Sequence, residues 1–226
     1  MKYPGRKNVQ KSLISMGRHL VYSEGTKTEM NYVNNIKNLL RVDENHINEL
    51  IPVKYRRTKH TVDLIDRVEI DIKNRRKRGE TITGVWIFFD KDNYQDFDEA
   101  CHLIEEKNYR RNYDGELADE CGTVWHCCWS NQCFELWCYL HFADLNVPID
   151  RSQYVKKINE FAKAKGMKYQ KNIDNLFDWL SKAGGKMDNA IKYAKKKDNK
   201  GLPKQDPSTG VYLFVEFFKA YFEKKE

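Results

Sequence analysis

Two short apolar runs, each ending in carboxylates, constrain this chain more than any other feature. The first reads His19-Leu20-Val21-Tyr22-Ser23-Glu24-Gly25, the second Val85-Trp86-Ile87-Phe88-Phe89-Asp90-Lys91-Asp92. The unbroken apolar stretch from Val85 to Phe89 leaves no polar face, which suits a strand buried on both sides in a parallel sheet. Asp-x-Asp then emerges at the C-terminal end of that strand, where open α/β sheets bind their ligands. Residues i and i+2 of an extended segment point to one side, so Asp90 and Asp92 can share a cation. If the two runs are neighbouring strands, Glu24 joins them, and a cluster of uncompensated carboxylates calls for a positive ion.

The surrounding pattern alternates strands and helices. Gly25 allows a sharp turn after the first strand, about Arg18 to Ser23. Thr26 and Glu29 have capping-box spacing, and Tyr32, Val33, Ile36, Leu39 and Leu40 share one helical face. A short strand at 49–53, a helix on Val62, Ile65, Val68 and Ile72, the strand Val85–Phe89, and a helix on Phe97, Cys101 and Ile104 follow. Asn112 to Gly122 reads as a polar loop, and Val124 to Trp129 as a further strand. Ser130 and Asn131 are suited to cap the next helix, and a helix N-terminus there also suits phosphate. Cys133 to Phe142 is apolar almost all round, as in a buried helix. Glu135 inside it needs a partner and is assigned to the same acidic cluster.

The alternation predicts an α/β fold with a mostly parallel central sheet flanked by helices. Residues 1–17 read as a basic arm, 18–148 as the α/β domain, and 149–226 as a helical extension packed on it. In that extension Val155/Ile158/Phe161/Ala162, Ile173/Leu176/Phe177/Leu180 and Ala190/Ile191/Ala194 mark three helices. Lys195–Pro207 reads as a basic loop before a last helix, Val211 to Phe222.

Composition narrows the function classes. No apolar run approaches the ~20 residues that span a bilayer, so no membrane association is expected. No signal peptide is recognisable after the basic start, and a cytoplasmic location is the expectation. The six cysteines lack zinc-site spacing and mostly sit among apolar residues, as reduced core cysteines do. His126 and His141 likewise read as core histidines. A net charge of +7 is concentrated at Lys54–Lys59, Lys73–Arg78 and Lys192–Lys200, in clusters that suit phosphate backbones or solvated helix faces. Arg56, Arg57, Lys59 and His60 form one basic loop, with Tyr55 placed for base stacking.

Mg²⁺ takes oxygen ligands and keeps several waters, with substrate phosphates completing its shell. Such ions activate water and stabilise the leaving oxygen in phosphodiester hydrolysis, with Mn²⁺ as a substitute. Lys27 and Lys91 lie inside the acidic motifs; neutralisation of the acids is favoured for Lys91, and for Lys27 phosphate contact and neutralisation stay equally open.

The segments Ser23-Glu24-Gly25-Thr26-Lys27-Thr28-Glu29 with Asn31-Tyr32, Phe89-Asp90-Lys91-Asp92, and Trp129-Ser130-Asn131-Gln132-Cys133-Phe134-Glu135-Leu136-Trp137 resemble the signature blocks of RloB-like proteins. Asp206-Pro207-Ser208-Thr209 resembles the family's C-terminal block. The chain has Gln132 where the family pattern has Pro, and Asp206 where it has Asn. The resemblance implies a Rossmann-like Toprim fold and a metal-dependent nuclease of restriction and phage-defence loci, often beside an AAA-type ATPase. The ligand candidates it implies are Glu24, Asp90 and Asp92, supported by Glu29 and Glu135; Glu24, Asp90, Asp92 and Glu135 are the candidate catalytic acids. Lys27, Arg56, Arg57, Lys59, Ser130 and Asn131 are the candidate nucleic-acid contacts. RNA (tRNA included) and DNA stay open as substrates, as does self-association.

Two other functions compete: a non-catalytic nucleic-acid-binding or regulatory subunit of an ATPase complex, and a primase-like transferase. The chain has no Walker-type loop, so any ATP dependence comes from a partner.

Overall fold

Alternation of side chains between two faces builds the centre of this molecule. The structure, a computed structural model, describes residues 15–25, 27–40, 48–53, 60–91, 95–198 and 205–222. Strand β1 (Gly17–Ser23) leads through α1 (Thr28–Lys37) to β2 (Asn48–Pro52), and α2 (Thr61–Lys77) leads to β3 (Gly84–Asp90). Helix α3 (Phe97–Glu106) and a small hairpin, β4 (Arg110–Arg111) with β5 (Leu117–Ala118), precede β6 (Val124–Asn131). Then come α4 (Glu135–Leu140), α5 (Gln153–Ala162), a 3-10 turn (Lys163–Lys165), α6 (Leu176–Lys182), α7 (Met187–Asp198), β7 (Ser208–Thr209) and α8 (Val211–Lys219). The main sheet runs β2-β1-β3-β6-β7, parallel except for β7. This is the helix-flanked, mostly parallel α/β architecture expected, and β1 and β3 are neighbours, Ser23 opposite Phe88.

Period-2 alternation sorts the strands' side chains into two cores. Val21, Trp86, Phe88 and Cys128 face one side, packed with residues of α1, α4, α5, α6, α7 and α8. Leu20, Tyr22, Val85, Ile87, Phe89, Cys127 and Trp129 face the other, under α2 and α3. Each large side chain so buried contributes roughly 2–3 kcal/mol of transfer free energy. The helices after residue 149 thus share a core with α1 and the sheet.

The buried His19 ring is matched at both nitrogens. His19 Nε2 donates to the Met16 carbonyl at 2.9 Å, and Nδ1 accepts the Trp86 indole N–H at 3.0 Å. Burial pushes this imidazole down to about 4, so it stays neutral. His141 is buried with Nδ1 3.0 Å from the Trp137 carbonyl, and His126 stacks on Trp86 with ring centroids 3.6 Å apart. No disulfide joins the six cysteines, all within the described residues, and five of them are buried, Cys121 being exposed.

Several local expectations are corrected. Strand β6 continues through Ser130 and Asn131 because β7 pairs with them, Ser130 with Thr209 and Asn131 with Ser208. Neither caps α4, whose preceding residue is Phe134. Helix α1 starts at Thr28 after Lys27, and Thr26 of the expected capping box lies outside the described residues. Helix α6 begins at Leu176, which leaves Ile173 in a loop, whereas α7 runs on through Lys195 to Asp198.

Among the described residues, much of the Lys73–Arg78 and Lys192–Lys200 clusters is consumed internally. Arg75 pairs with Asp71 at 2.8 Å and Glu80 at 3.0 Å, Arg76 with Asp119 at 2.6 Å, and Arg78 with Glu80 at 3.0 Å. Lys195 and Lys196 pair with Glu216 and Asp144. Arg56, Arg57 and Lys59 lie outside the described residues, whereas His60 is the exposed residue before α2.

Gly210 seats α8 against β6. A Cβ there would come within 2.4 Å of the Trp129 ring, while φ of −88° suits any residue. Gly210→Ala should therefore destabilise by overpacking alone, by about 1–3 kcal/mol in urea unfolding; an unchanged midpoint would show that α8 is not held this closely.

Candidate functional site

The C-terminal edge of β1, β3 and β6 gathers carboxylates from separate parts of the chain. Glu24 follows the last residue of β1, and its N–H donates to the Phe88 carbonyl of β3 at 2.9 Å. Asp90 ends β3, paired with Ser130 of β6. By the alternation that sends Trp86 and Phe88 to one face, Asp90 points to the side covered by α1 and α4. Those helices bring the other two acids: Glu29 in the first turn of α1, and Glu135 as the first residue of α4. Glu29 falls on the same helical stripe as Tyr32, Val33 and Ile36, so helix packing itself drives it inward.

All four line one cleft of about 280 Å³, together with Gly25, Lys27, Thr28, Phe134, Arg151, Lys171 and Asn172. Glu24, Glu29 and Glu135 are 9%, 8% and 4% exposed. Gly25 makes room for the arrangement: a Cβ there would sit 2.1 Å from Glu29 Oε2, so the carboxylate lies directly over the glycine.

The acids repel one another. Burial, then the charges of Glu29, Glu135 and Glu24, hold Asp90 well above the ordinary carboxylate range, against the pull of Arg151. Burial first, with Glu135 adding, pushes Glu29 up to about 7; its own backbone N–H and Lys171 pull the other way. Two opposite charges thus reach the cluster from the C-terminal helical part. Lys171 Nζ lies 3.0 Å from Glu135 Oε1. Burial opposes the charge on Lys171, but Glu135 raises its pKa overall.

Most of the acids expected at the site therefore meet: Glu24, Glu29, Asp90 and Glu135, with Lys27 at the cleft wall. Asp92 lies outside the described residues. Ser130 and Asn131 are buried within the sheet, Ser130 Oγ 3.1 Å from Thr209 Oγ1, and do not line the cleft. Lys91 Nζ sits 5.2 Å above the Phe97 ring, and among the described residues no ion pair joins it to the acids of the cleft. Arg151, Lys171 and Asn172 were not anticipated. They sit in unremarkable polar stretches, and only the packing of the later helices brings them to the sheet.

The donor set suits a hard cation: all oxygen, with no His or Cys, and held so that the neighbouring charges raise the pKa of Asp90 and Glu29. Glu24, Asp90, Glu29 and Glu135 are the residues that would hold it. Among the described residues, no group of three or more His, Cys, Asp or Glu side chains is arranged to hold a metal ion; Glu135 is turned to Lys171.

Comparison with protein-family models matches residues 19–218 to the RloB-like proteins. The chain belongs to this family. No curated protein and no solved structure matches it. In this RloB-like chain, the two departures noted from the family pattern touch each other: Gln132 Nε2 donates to Asp206 Oδ2 at 2.8 Å. Gln132 Oε1 also accepts the Arg151 N–H at 3.0 Å. Among the described residues, no helix is long and apolar enough to cross a membrane.

A carboxyl with a folded-state pKa of about 7 keeps its proton where the unfolded chain, at 4.5, has lost it. The fold is thus favoured below pH 4.5 and loses stability as pH rises to 7, by about 3 kcal/mol for Glu29. In EDTA, Glu29→Gln should be more stable than wild type by about that amount at pH 8 and nearly equal at pH 4. Urea unfolding at the two pH values checks this, and a pH-independent difference would refute it.

Proposed function

We propose that this RloB-like protein is a Mg²⁺-dependent nuclease of Toprim type that hydrolyses phosphodiester bonds in RNA or DNA. The observation carrying the reading is the convergence of Glu24, Asp90, Glu29 and Glu135 in one cleft at the C-terminal edge of a parallel sheet, with basic side chains at its wall. Mutual repulsion keeps that cluster poised for a counter-charge. Glu24 and Asp90, fixed by neighbouring strands, would hold a divalent cation; Asp92 is proposed as a further ligand by its spacing from Asp90.

A bound Mg²⁺ would supply Lewis-acid polarisation of a phosphoryl oxygen and a water of lowered pKa. The chain's own part is positional. Glu24 and Asp90 fix where the cation and the scissile phosphate meet. Glu29, over Gly25, adds a carboxylate beside that seat, and its raised pKa lets protons compete with the cation there. Burial of the cluster excludes bulk water and strengthens each interaction. The family resemblance extends the proposal to anti-phage defence, with activity controlled by an AAA-type ATPase partner.

Labelled tRNA, single-stranded RNA and duplex DNA incubated with Mg²⁺ or Mn²⁺ test the reading. Asp90→Asn and Glu24→Gln should each lower cleavage at least about 100-fold. Independently of cleavage, saturating Mg²⁺ or Mn²⁺ should raise the melting temperature of wild type at pH 8, corresponding to about 2.7 kcal/mol at a hundredfold excess over Kd. That gain should shrink at pH 5, where protons compete at Glu29, and be lost when Asp90→Asn and Glu24→Gln are combined. Polymer binding that persists in EDTA, with no cleavage and no cation-induced shift, would favour the non-catalytic subunit instead.

A further inference from the structure

The loop carrying Lys171 is held far more firmly than a connector needs. On one side, Asn159 of α5 takes both backbone groups of Tyr169: its Oδ1 accepts the Tyr169 N–H at 2.6 Å, and its Nδ2 donates to the Tyr169 carbonyl at 3.1 Å. The Tyr169 ring is buried against Trp179. On the other side, Asn31 Nδ2 donates to the Ile173 carbonyl at 3.0 Å, and Asn35 Oδ1 accepts the Phe177 N–H at 2.9 Å. Thr28 Oγ1 donates to Asn172 Oδ1 at 3.3 Å.

Thr28, Asn31 and Asn35 are spaced three and four residues apart, so they form one polar stripe along α1. Thr28 and Asn35 are buried. A stripe of buried polar side chains on a helix costs stability unless every group is matched, and here the matches go to this loop. Asn172 adopts φ of +67°, a left-handed turn that asparagine tolerates better than most residues. The loop is therefore pinned at 169 and again at 172–177, with Lys171 between.

Pinned in this way, the Lys171 ammonium stands at the mouth of the acid cleft. Its side chain is 49% exposed while the Glu135 carboxylate beneath it is 5% exposed. One side of the ammonium meets Glu135 and the other meets solvent. Arg151 lines the same cleft, its backbone held by Gln132. An anion entering over the carboxylates passes these cations first.

From this we infer that Lys171, on a loop positioned by Asn159 and the Thr28–Asn31–Asn35 stripe, is the phosphate-recognition residue of the cleft, donating to a non-bridging oxygen of a bound phosphodiester, with Arg151 as its companion. The inference rests on the phosphodiester reading above and names where the polyanion is gripped. A lysine with three donors can keep Glu135 and take a phosphate oxygen together.

Binding of fluorescein-labelled single-stranded RNA and duplex DNA to Asp90→Asn protein in EDTA, read by anisotropy across a salt series, tests this. Lys171→Met should weaken binding about tenfold and lower the slope of log K against log salt by about one. Lys171→Arg should restore most of both. Lys73→Met, on α2 across the sheet, should change neither. Equal affinity and slope in Lys171→Met, or an equal loss in Lys73→Met, overturns the assignment. So does absence of polymer binding by the parent. The cation-induced melting shift, recorded on Lys171→Met in the Asp90-containing chain, separates the two readings. If the shift persists while polymer binding is lost, Lys171 serves the phosphate; if the shift vanishes while binding stays, Lys171 only orders Glu135 and the assignment falls. A wild type with no shift sinks the metal reading whatever the polymer does.

Discussion

Like charge buried at the end of a parallel sheet is the interaction on which the rest of this structure depends. Four carboxylates share a cleft, and each is held by an element that cannot retreat. Glu24 directly follows β1 and Asp90 ends its neighbour β3, Glu29 lies on the packed stripe of α1, and Glu135 starts a helix whose residues are all buried. Relaxing the repulsion would mean withdrawing a strand end or a helix from the core. The strain is met instead by raised pKa values and by opposite charge from elsewhere in the fold.

That opposite charge explains why the C-terminal helices belong to the site as well as to the core. α5, α6, α7 and α8 complete the apolar cluster around Trp86 and Phe88. The loop between α5 and α6, in turn, sets Lys171 against Glu135, and the start of α5 follows Arg151. Helix α1 serves both ends of this arrangement. Its apolar stripe buries Glu29, and its polar stripe grips the Lys171 loop. A substitution on either face of α1 therefore reaches the acids, by moving a carboxylate or by moving the cation that answers it.

Charge read along the chain and charge read in space lead to different conclusions. The Lys73–Arg78 run looks like a phosphate-binding cluster, yet Arg75, Arg76 and Arg78 turn to Asp71, Asp119 and Glu80. These guanidinium–carboxylate pairs, one within α2 and the others to Glu80 and Asp119 in the loops beside it, take up much of the positive charge there. Lys171, by contrast, is not marked out from its neighbours Lys163, Lys165 and Lys168 in the chain, yet it stands at the cleft mouth. Local density of basic residues is a poor guide because ion pairs form wherever a carboxylate lies within reach, at any separation in the chain.

Much of this protein is legible in its sequence for one reason: strand burial and side-chain alternation are local properties. The unbroken apolar run before Asp90, the turn glycine after Glu24 and the helical stripe holding Glu29 identify a parallel α/β sheet with acids at its C-terminal edge. Glu135 is legible too, as a charge in a helix with no polar face. Local pattern could not show that β7 would extend β6 through Ser130 and Asn131, for that pairing joins residues nearly eighty positions apart. Nor could it single out Lys171 or Arg151, whose surroundings in the chain resemble any polar loop. Their place is decided by how α5 and α6 pack on α1, and that packing is a sum of many weak contacts which becomes definite only when the whole core closes.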